Sequence, residues 1–419
     1  MQMATNLGYD NAQKFLLGRR AHHSSMRDGT HDEDAENGVY EDVLDLSRGH
    51  YVNDRCSECH ERNGSAEVAE DGELLDRWVF KIGDDNGQAT VNQGSVLQPI
   101  SVSGTNNEGG VSIEFWSETE DGLRTPNYVF ENGTPPQFSA RLSPRLVGLG
   151  LLEAIKEEDI LALEDIDDIN NDGISGRAHR VSDPSDPSLT RIGRFGWKAS
   201  TVSVEHQVAG ALNTDMGVMS ELLPKADCGS EQSSCESGNP MSEEVFDNLV
   251  TYISTLGVRA QRILKSGFED TQVLEGKALF QEINCTGCHT ETFQTSTFHP
   301  LTEVRDQTIH PYTDMLLHDM GDGLADTLAE GDASGREWRT TPLWGLGLSA
   351  CVTGGVTNPT GNEGDEICTP HHAYLHDGRA RSIEEAILWH GGEGQASNDA
   401  YQALSNEEKE DVLKFLESL

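Results

Sequence analysis

Two short cysteine–histidine motifs constrain this chain more than any other feature of its sequence. Both have the pattern C-x-x-C-H: one begins at Cys56 and ends at His60, and the other begins at Cys285 and ends at His289. Two thiols at this spacing can each form a thioether with a haem vinyl group, and the adjacent histidine then ligates the iron. A zinc site and a redox dithiol are the alternatives, but neither requires a histidine directly after both cysteine pairs. We therefore expect two covalently bound c-type haems, held by Cys56, Cys59, His60, Cys285, Cys288 and His289.

The charge of the chain restricts its partners. The 419 residues carry 30 Lys+Arg against 72 Asp+Glu, a net charge of −42. Such a protein repels nucleic-acid phosphates and anionic lipid, so we expect neither as a partner. No window approaches the roughly 18 consecutive apolar residues of a transmembrane helix. A basic redox protein fits better, although the same acidity suits a salty medium, and the oligomeric state stays open.

The remaining four cysteines form two close pairs in segments rich in Gly, Ser and Asn. Covalent haem attachment implies export, to the periplasm or out of the cell, where thiols oxidise. From proximity alone we expect Cys228–Cys235 and Cys351–Cys368 disulfides, with reduced thiols or another connectivity as alternatives. Residues 1–4 lack the apolar run of a secretion signal, so we expect a leader that was trimmed or that precedes this numbering.

Each haem motif lies in its own section of chain, and each section ends in a predicted helix. Ser405 and Glu408 form a capping box before an apolar stripe, and Ser242 is the expected cap of a matching earlier helix. The predicted fold is mainly α, with two cytochrome c-like haem domains. The domains are expected at residues 46–262 and 263–419, with a small β insertion near 88–135 and a poorly packed acidic arm at 1–45. A contribution of the arm to the first haem pocket is the alternative.

Several longer segments resemble a known family. They are residues 148–155, 171–177, 194–199, 310–314, 317–321 and 375–380. Through them the chain, over about residues 45–419, resembles bacterial di-haem oxidoreductases that are often labelled thiol oxidoreductases. That family is a branch of the di-haem cytochrome c peroxidase superfamily. The resemblance implies a peroxidase-type reaction site at the N-terminal haem and an electron-transfer site at the C-terminal haem, whereas nothing in the sequence supports the thiol label.

The resemblance also implies three residues of the reaction site. In the superfamily a Trp lies between the haems, a Gln follows ten positions later, and an acid precedes Met-Gly. Trp197, Gln207 and Asp215 reproduce that order here, but the acid is Asp instead of Glu and follows the Gln by eight positions instead of ten. A carboxyl can move a proton between the two oxygens of peroxide while an amide hydrogen-bonds the same ligand. A core tryptophan and an aspartate that caps a turn are the alternatives.

The sixth ligands of the two irons are expected to differ. His390 continues a helical stripe formed with residues 383, 386 and 387, near the place where related peroxidases carry a Met ligand. A bis-His site with His289 would lower the reduction potential, and a core histidine is the alternative. No histidine lies between His60 and His179, so we expect an open first iron that binds peroxide directly. The other candidate ligands there, which nothing in the sequence supports, are His22, His23, His31 and His50.

One acidic segment has the spacing of a calcium loop. Asp168, Asn170 and Asp172 supply alternating oxygen ligands before a glycine. His179 stands at the twelfth position, where an EF-hand has Glu. A calcium site and an Asx-rich turn both fit this pattern.

These features together predict a peroxidase-like di-haem oxidoreductase. It would use an open N-terminal haem to reduce peroxide or to oxidise a substrate, with electrons passing through a bis-His C-terminal haem. One alternative is a non-enzymatic electron carrier within a larger redox assembly, which would need no open iron. Another is an oxygenase or a protein-modifying enzyme, since the same haem pair can oxidise remote aromatic residues.

Overall fold

The computed structural model describes residues 3–47, 49–102, 107–232, 238–265, 267–360 and 367–419. Its α-helices are α1 Tyr9–His22, α2 Cys56–Cys59, α3 Leu149–Glu153, α4 Glu157–Leu161, α5 Val204–Gly210, α6 Glu243–Ser254, α7 Thr271–Glu282, α8 Ser349–Gly354, α9 Ile383–Leu388, α10 Gln395–Ala403 and α11 Asn406–Ser418. Its strands are β1 His50–Tyr51, β2 Val79–Gly83, β3 Ile100–Ser101, β4 Val111–Glu118, β5 Arg124–Phe130, β6 Gln137–Arg141, β7 Arg180–Asp183, β8 Asp186–Ile192, β9 Leu264–Lys265, β10 Phe268–Glu269, β11 Phe293–Gln294, β12 Thr308–Ile309, β13 Leu317–Asp319, β14 Glu337–Arg339, β15 Val356–Thr357 and β16 Ile367–Cys368.

The prediction of a mainly α fold is wrong. The structure is 30% helical and 18% strand. Over the described residues the strands pair antiparallel, two by two, and many are only two residues long. Long segments separate the helices, and their backbone N–H and C=O groups need partners wherever the chain is shielded from water. Short strand pairs supply those partners without forming one large sheet.

The first core is built on a crossing of α1 and α6. Gly18 allows the close approach: a Cβ atom there would lie 1.9 Å from the backbone oxygen of Asn248. Phe15 packs its ring 4.9 Å from that of Tyr252. The expectation of a poorly packed arm at 1–45 is therefore wrong, because buried side chains from 15 to 43 belong to this core.

The second core repeats the arrangement with α7 and α11. A Cβ atom on Gly276 would lie 1.8 Å from the backbone oxygen of Asp411 and 2.9 Å from Cβ of Phe415. The predicted capping box at Ser405 and Glu408 is present, as is the Ser242 cap of α6. Each haem motif thus follows a helix that crosses the last helix of its own section.

A separate β region contacts both of these parts. Strands β4 and β5 form a hairpin inside the predicted β insertion, while β2 pairs with β6 outside its bounds. The region has its own core around Trp78, Phe80 and Ile113. Since β2 and β6 carry cationic side chains into the site described below, this region helps to shape it.

Two further features concern the predictions about membrane helices and disulfides. None of the described helices has the length and apolar character that crossing a membrane requires. The Sγ atoms of Cys351 and Cys368 lie at bonding distance, 2.01 Å. The other predicted disulfide includes Cys235, which lies outside the described residues.

Candidate haem sites

The first C-x-x-C-H motif opens onto a large cavity. Cys56, Cys59 and His60 all line it, and its volume is about 310 Å³. His60 donates a hydrogen bond from Nδ1 to the backbone oxygen of Pro144 at 3.0 Å, which leaves the imidazole lone pair on Nε2. Burial lowers the pKa of His60 to about 4, so the ring is neutral and can ligate a metal. Neither Cys56 nor Cys59 is part of a disulfide.

The second motif holds its histidine in the same way. The Nδ1 of His289 donates to the backbone oxygen of Tyr312 at 2.9 Å. Burial, with a smaller contribution from His390, lowers the pKa of His289 to about 4. His390 donates from Nδ1 to the oxygen of Ala386 at 2.7 Å, so its lone pair also resides on Nε2. Helix α9 ends at Leu388, so His390 lies in the turn beyond the helix and not on the stripe expected from the sequence.

Asp215 and Gln207 line the same cavity as the first motif. Eight residues make about 2.2 turns of an α-helix, which would rotate the two side chains apart. Here α5 continues into a π-helix, Ala211–Asp215, whose wider turns reduce that rotation. The eight-residue spacing is therefore compatible with one shared site.

The polar contacts of these two side chains set their chemistry. The amide oxygen of Gln207 accepts a hydrogen bond from Thr201 Oγ1 at 2.9 Å. The group that Gln207 can offer to a ligand in the cavity is therefore its amide NH₂, a donor. The carboxylate of Asp215 accepts from Thr214 Oγ1 at 2.7 Å. Burial nevertheless raises the pKa of Asp215 to about 6. A carboxyl in this range can both take up and release a proton near neutral pH.

Trp197 lies between the first cavity and the second section of chain. It lines the cavity and donates from Nε1 to the backbone oxygen of Leu142 at 2.8 Å. Its ring stands edge-on to that of His376, with centroids 6.4 Å apart. It also packs against an apolar cluster that contains Trp389, the residue before His390. The three reaction-site residues expected from the resemblance are thus brought to one cavity, while their roles stay predictions.

Sequence reasoning missed the cations of this cavity. The six described Lys and Arg residues that line it are Arg55, Arg77, Lys81, Arg141, Arg145 and Arg339. The Nε and Nη1 atoms of Arg141 and Nη1 of Arg145 are buried, and no described residue accepts a hydrogen bond from them. Such donors are costly unless an anion meets them. The residues are scattered along the chain, so no spacing in the sequence points to them.

These observations fit a haem. Its two propionate carboxylates are the kind of anion that these unpaired guanidinium nitrogens need. A Cβ atom added to Gly210, which also lines the cavity, would meet no described atom within 4 Å. The cavity therefore offers two cysteine thiols, a histidine that can ligate iron, open space, and cations that suit the carboxylates of a porphyrin.

A buried ion-pair network closes one side of the cavity. Glu330 accepts from Lys81 Nζ at 2.5 Å and from Arg141 Nη2 at 2.6 Å. Burial acts to raise the pKa of Glu330, but the two cations hold it well below its ordinary value. Lys81 and Arg141 belong to β2 and β6, whereas Glu330 belongs to the second section of chain, so the network joins the two parts.

The predicted calcium ligands are exposed and engaged within their own loop. Asp168 accepts from the backbone N–H of Asp172 at 2.9 Å, and Asn170 donates to the carboxylate of Asp172 at 3.1 Å. His179, at the twelfth position of the pattern, is buried, and its Nδ1 atom lies 2.8 Å from the backbone oxygen of Lys198. Calcium binding at Asp168, Asn170 and Asp172 stays a prediction.

One other group of side chains has the spacing of a metal site. Among the described His, Cys, Asp and Glu residues, Cys288, Asp314 and His318 lie close enough to share an ion. Cys288 belongs to the second haem motif. His318 is already paired with Asp314 at 2.8 Å and with Glu393 at 2.7 Å. These ion pairs account for the cluster, and they stabilise the segment that packs against the second haem motif.

Comparison with known proteins agrees with this geometry. Residues 135–419 match the model of a family described as "di-haem oxidoreductase, putative peroxidase". No curated protein matches the chain. Two solved structures are similar to it at low identity: a MauG-like protein associated with microbial copper homeostasis (16% identity, TM-score 0.40, covering 100% of this chain and 92% of the other) and hydrazine synthase of Kuenenia stuttgartiensis (13% identity, TM-score 0.36, covering 90% and 95%). The family match spans well over half of the chain and confirms the family inferred from its motifs, so this protein belongs to the di-haem oxidoreductase family.

Proposed function

We propose that this protein is a peroxidase-like enzyme in which the first haem is the reaction site and the second haem transfers electrons. The observation that carries the proposal is the first cavity, where Asp215 and Gln207 lie with the C-x-x-C-H motif. When bound there, haem would supply an iron that exchanges electrons with peroxide. A carrier of electrons alone would not need a proton-exchanging carboxyl in this position.

Asp215 is the proton-transfer group of this proposal. In its ionised form it accepts a proton from one oxygen of peroxide, and it returns that proton to the other oxygen as the O–O bond breaks. A pKa of about 6 keeps both steps accessible near neutral pH. Gln207 donates its amide N–H to the same substrate because Thr201 already occupies its oxygen.

The second site differs because two histidines converge on it. His289 and His390 both present Nε2, and they interact electrostatically with each other. If both histidines ligate the iron of a haem bound there, no ligand position would be left for a small molecule, and electron transfer would be the remaining chemistry. Trp197, in contact with the first cavity and with the cluster beside His390, offers the path between the two sites.

Peroxide turnover tests the proposal. The holoprotein, reduced by a chemical donor, is mixed with hydrogen peroxide, and donor oxidation is followed for wild type, Asp215→Asn and Asp306→Asn. Asp306 is exposed and lies outside the cavity, so its variant is the control for loss of a carboxylate charge. We expect turnover in wild type and in the control and a large loss in Asp215→Asn. No turnover in wild type, or full turnover in Asp215→Asn, would contradict the proposal.

We also propose that both haems are covalently attached and that the protein is exported. The support is the pair of C-x-x-C-H motifs, because thioether formation on haem vinyl groups requires both cysteines of a motif. Denatured protein should retain two haems per chain. A double Cys56→Ala, Cys59→Ala variant should retain one, and release of all haem on denaturation would refute covalent attachment.

A further inference from the structure

A row of three histidines leads from the first cavity towards the surface. His22 ends α1, His23 follows it, and His31 lies beyond a turn that brings it back beside His23. The ring centroids of His22 and His23 are 5.0 Å apart, and those of His23 and His31 are 5.6 Å apart, nearly parallel. All three side chains are shielded from water.

The inner end of the row opens onto the first cavity. His22 lines that cavity and is fully buried. Neither of its ring nitrogens has a hydrogen-bond partner among the described residues. The groups that face it are Tyr252 of α6, His60 of the first motif, and Arg19, His23 and Asp32. Because buried polar groups are normally paired, two unpaired nitrogens directed at a cavity indicate a function there.

The outer end of the row reaches ionisable groups in contact with solvent. His23 Nδ1 lies 3.0 Å from Asp32 Oδ1, and Asp32 also accepts from Ser57 within the first motif. Glu33, about half exposed, lies 3.8 Å from the same nitrogen. The Nε2 atom of His23 is buried and has no partner within the described part of the chain. His31 Nδ1, at the outer end, lies 3.6 Å from Asp32 Oδ1. The row therefore has acidic groups beside His23 and His31, and two unpaired nitrogens on His22 at its inner end.

The second section of the chain shows what this position requires for packing alone. His22 follows Gly18 by four residues, just as Phe280 follows Gly276 at the corresponding helix crossing. Phe280 places its ring 6.2 Å from that of His289. A phenyl ring therefore satisfies the packing, and an imidazole at position 22 adds only its nitrogens.

We propose that His22, His23 and His31 carry protons from Asp32 and Glu33 to the first haem cavity. This inference rests on the proposed peroxidase function. Reduction of one hydrogen peroxide breaks the O–O bond, consumes two electrons from a reduced redox-protein donor and two protons from solvent, and gives two water molecules. Asp215 only moves a proton between substrate oxygens, so the consumed protons need a separate route. An imidazole serves because it can take up a proton at one nitrogen and release one from the other.

The variants for this experiment are chosen from the comparison of position 22 with position 280. His22→Phe keeps the packing seen at Phe280 and removes both nitrogens, while His23→Phe interrupts the row one step further out. His372→Phe, at an exposed histidine outside the row, is the control. The holoprotein of each is reduced by a photochemical donor without peroxide, and a pH-indicator dye follows proton uptake. Peroxide turnover is measured separately on the same samples.

We expect wild type and the control to take up protons as the first haem is reduced, because the added negative charge favours protonation nearby. The two row variants should do so at least tenfold more slowly, with unchanged haem spectra. Equal uptake rates in His22→Phe and wild type would overturn the proposal, as would an altered spin state of the first haem, which would make His22 an iron ligand. Normal proton uptake without peroxide turnover in wild type would refute the proposed function and leave the proton route standing.

Discussion

A single methyl group at Gly18 should loosen the first haem domain. In Gly18→Ala the new Cβ atom would lie 1.9 Å from the oxygen of Asn248 and 2.7 Å from Cβ of Tyr252. Ordinary contacts begin near 3.4 Å, so α1 must move away from α6 by roughly 1.5 Å. Overpacking of this kind costs about 1–3 kcal/mol. The clash is with backbone atoms, so we take the upper part of that range, about 2–3 kcal/mol. Alanine returns about 1 kcal/mol through its higher helix propensity, which leaves a net loss of about 1–2 kcal/mol in the free energy of unfolding.

Guanidinium denaturation followed by circular dichroism and haem absorbance measures this loss. Gly276→Ala should behave alike, since its methyl would meet the oxygen of Asp411 at 1.8 Å. Gln13→Ala, on the exposed face of α1, is the control and should change the free energy of unfolding by less than about 0.5 kcal/mol. A Gly18→Ala protein as stable as the control would show that α1 does not pack against α6 as described.

Three further predictions concern the cavity. Asp215→Asn should lower kcat/KM for peroxide by about 10²- to 10⁴-fold; because the carboxyl must be ionised to accept a proton, wild-type activity should fall as the pH drops through about 6, and the variant should lack this limb of the pH profile. Trp197→Phe should slow electron transfer between the haems by about tenfold, equivalent to ~1.4 kcal/mol in the barrier, as followed by stopped-flow absorbance; an unchanged rate would exclude Trp197 from the path. Glu330→Gln should cost about 3 kcal/mol in denaturant at pH 7, the lower end of the range for a broken buried pair, because it leaves the buried guanidinium of Arg141 without this carboxylate while Lys81 is partly exposed. The ion pair lowers the pKa of Glu330, so its stabilisation is fully present above the ordinary value of 4.5 and is lost progressively as the pH falls from there towards the lowered pKa of the folded state; a difference between variant and wild type that does not shrink as the pH falls below 4.5 would contradict the assignment.

The parts of this fold that could be predicted from the sequence are those with a local signal. The two haem motifs, the Ser242 cap and the Ser405–Glu408 capping box are each defined by residues within a few positions of one another. The β4–β5 hairpin falls within a segment whose alternation predicted strands. In each case the interactions that form the element join residues within one helical turn or one hairpin. Such residues are close in the sequence, so a sequence pattern can predict the element.

Helix α1 could not be predicted in the same way. Its buried face consists of Phe15, Gly18, Ala21 and His22, which form no stripe of large apolar side chains. The helix is stabilised by close approach to α6, and small residues that permit such an approach resemble loop residues in a sequence. The mainly α prediction failed for a related reason, since two-residue strands are too short to show alternation.

Only some of the residues that line the cavity could be predicted from the sequence. Asp215, Gln207 and Trp197 were found because their order along the chain matched a family pattern. Arg141 reaches the cavity from β6, Arg145 from the segment that follows β6, and Glu330 from the second section of chain. Residues brought together by tertiary packing from distant segments carry no shared spacing, so the charges that line the cavity could be found only from the structure.

The central claim is that the two irons have unequal axial environments. The electron paramagnetic resonance spectrum of the oxidised holoprotein tests it most directly, with wild type and His390→Ala compared side by side. We predict one high-spin signal from the first haem and one low-spin bis-histidine signal from the second, with only the low-spin signal lost in the variant. Two low-spin signals in wild type, or a low-spin signal that survives in His390→Ala, would contradict the account.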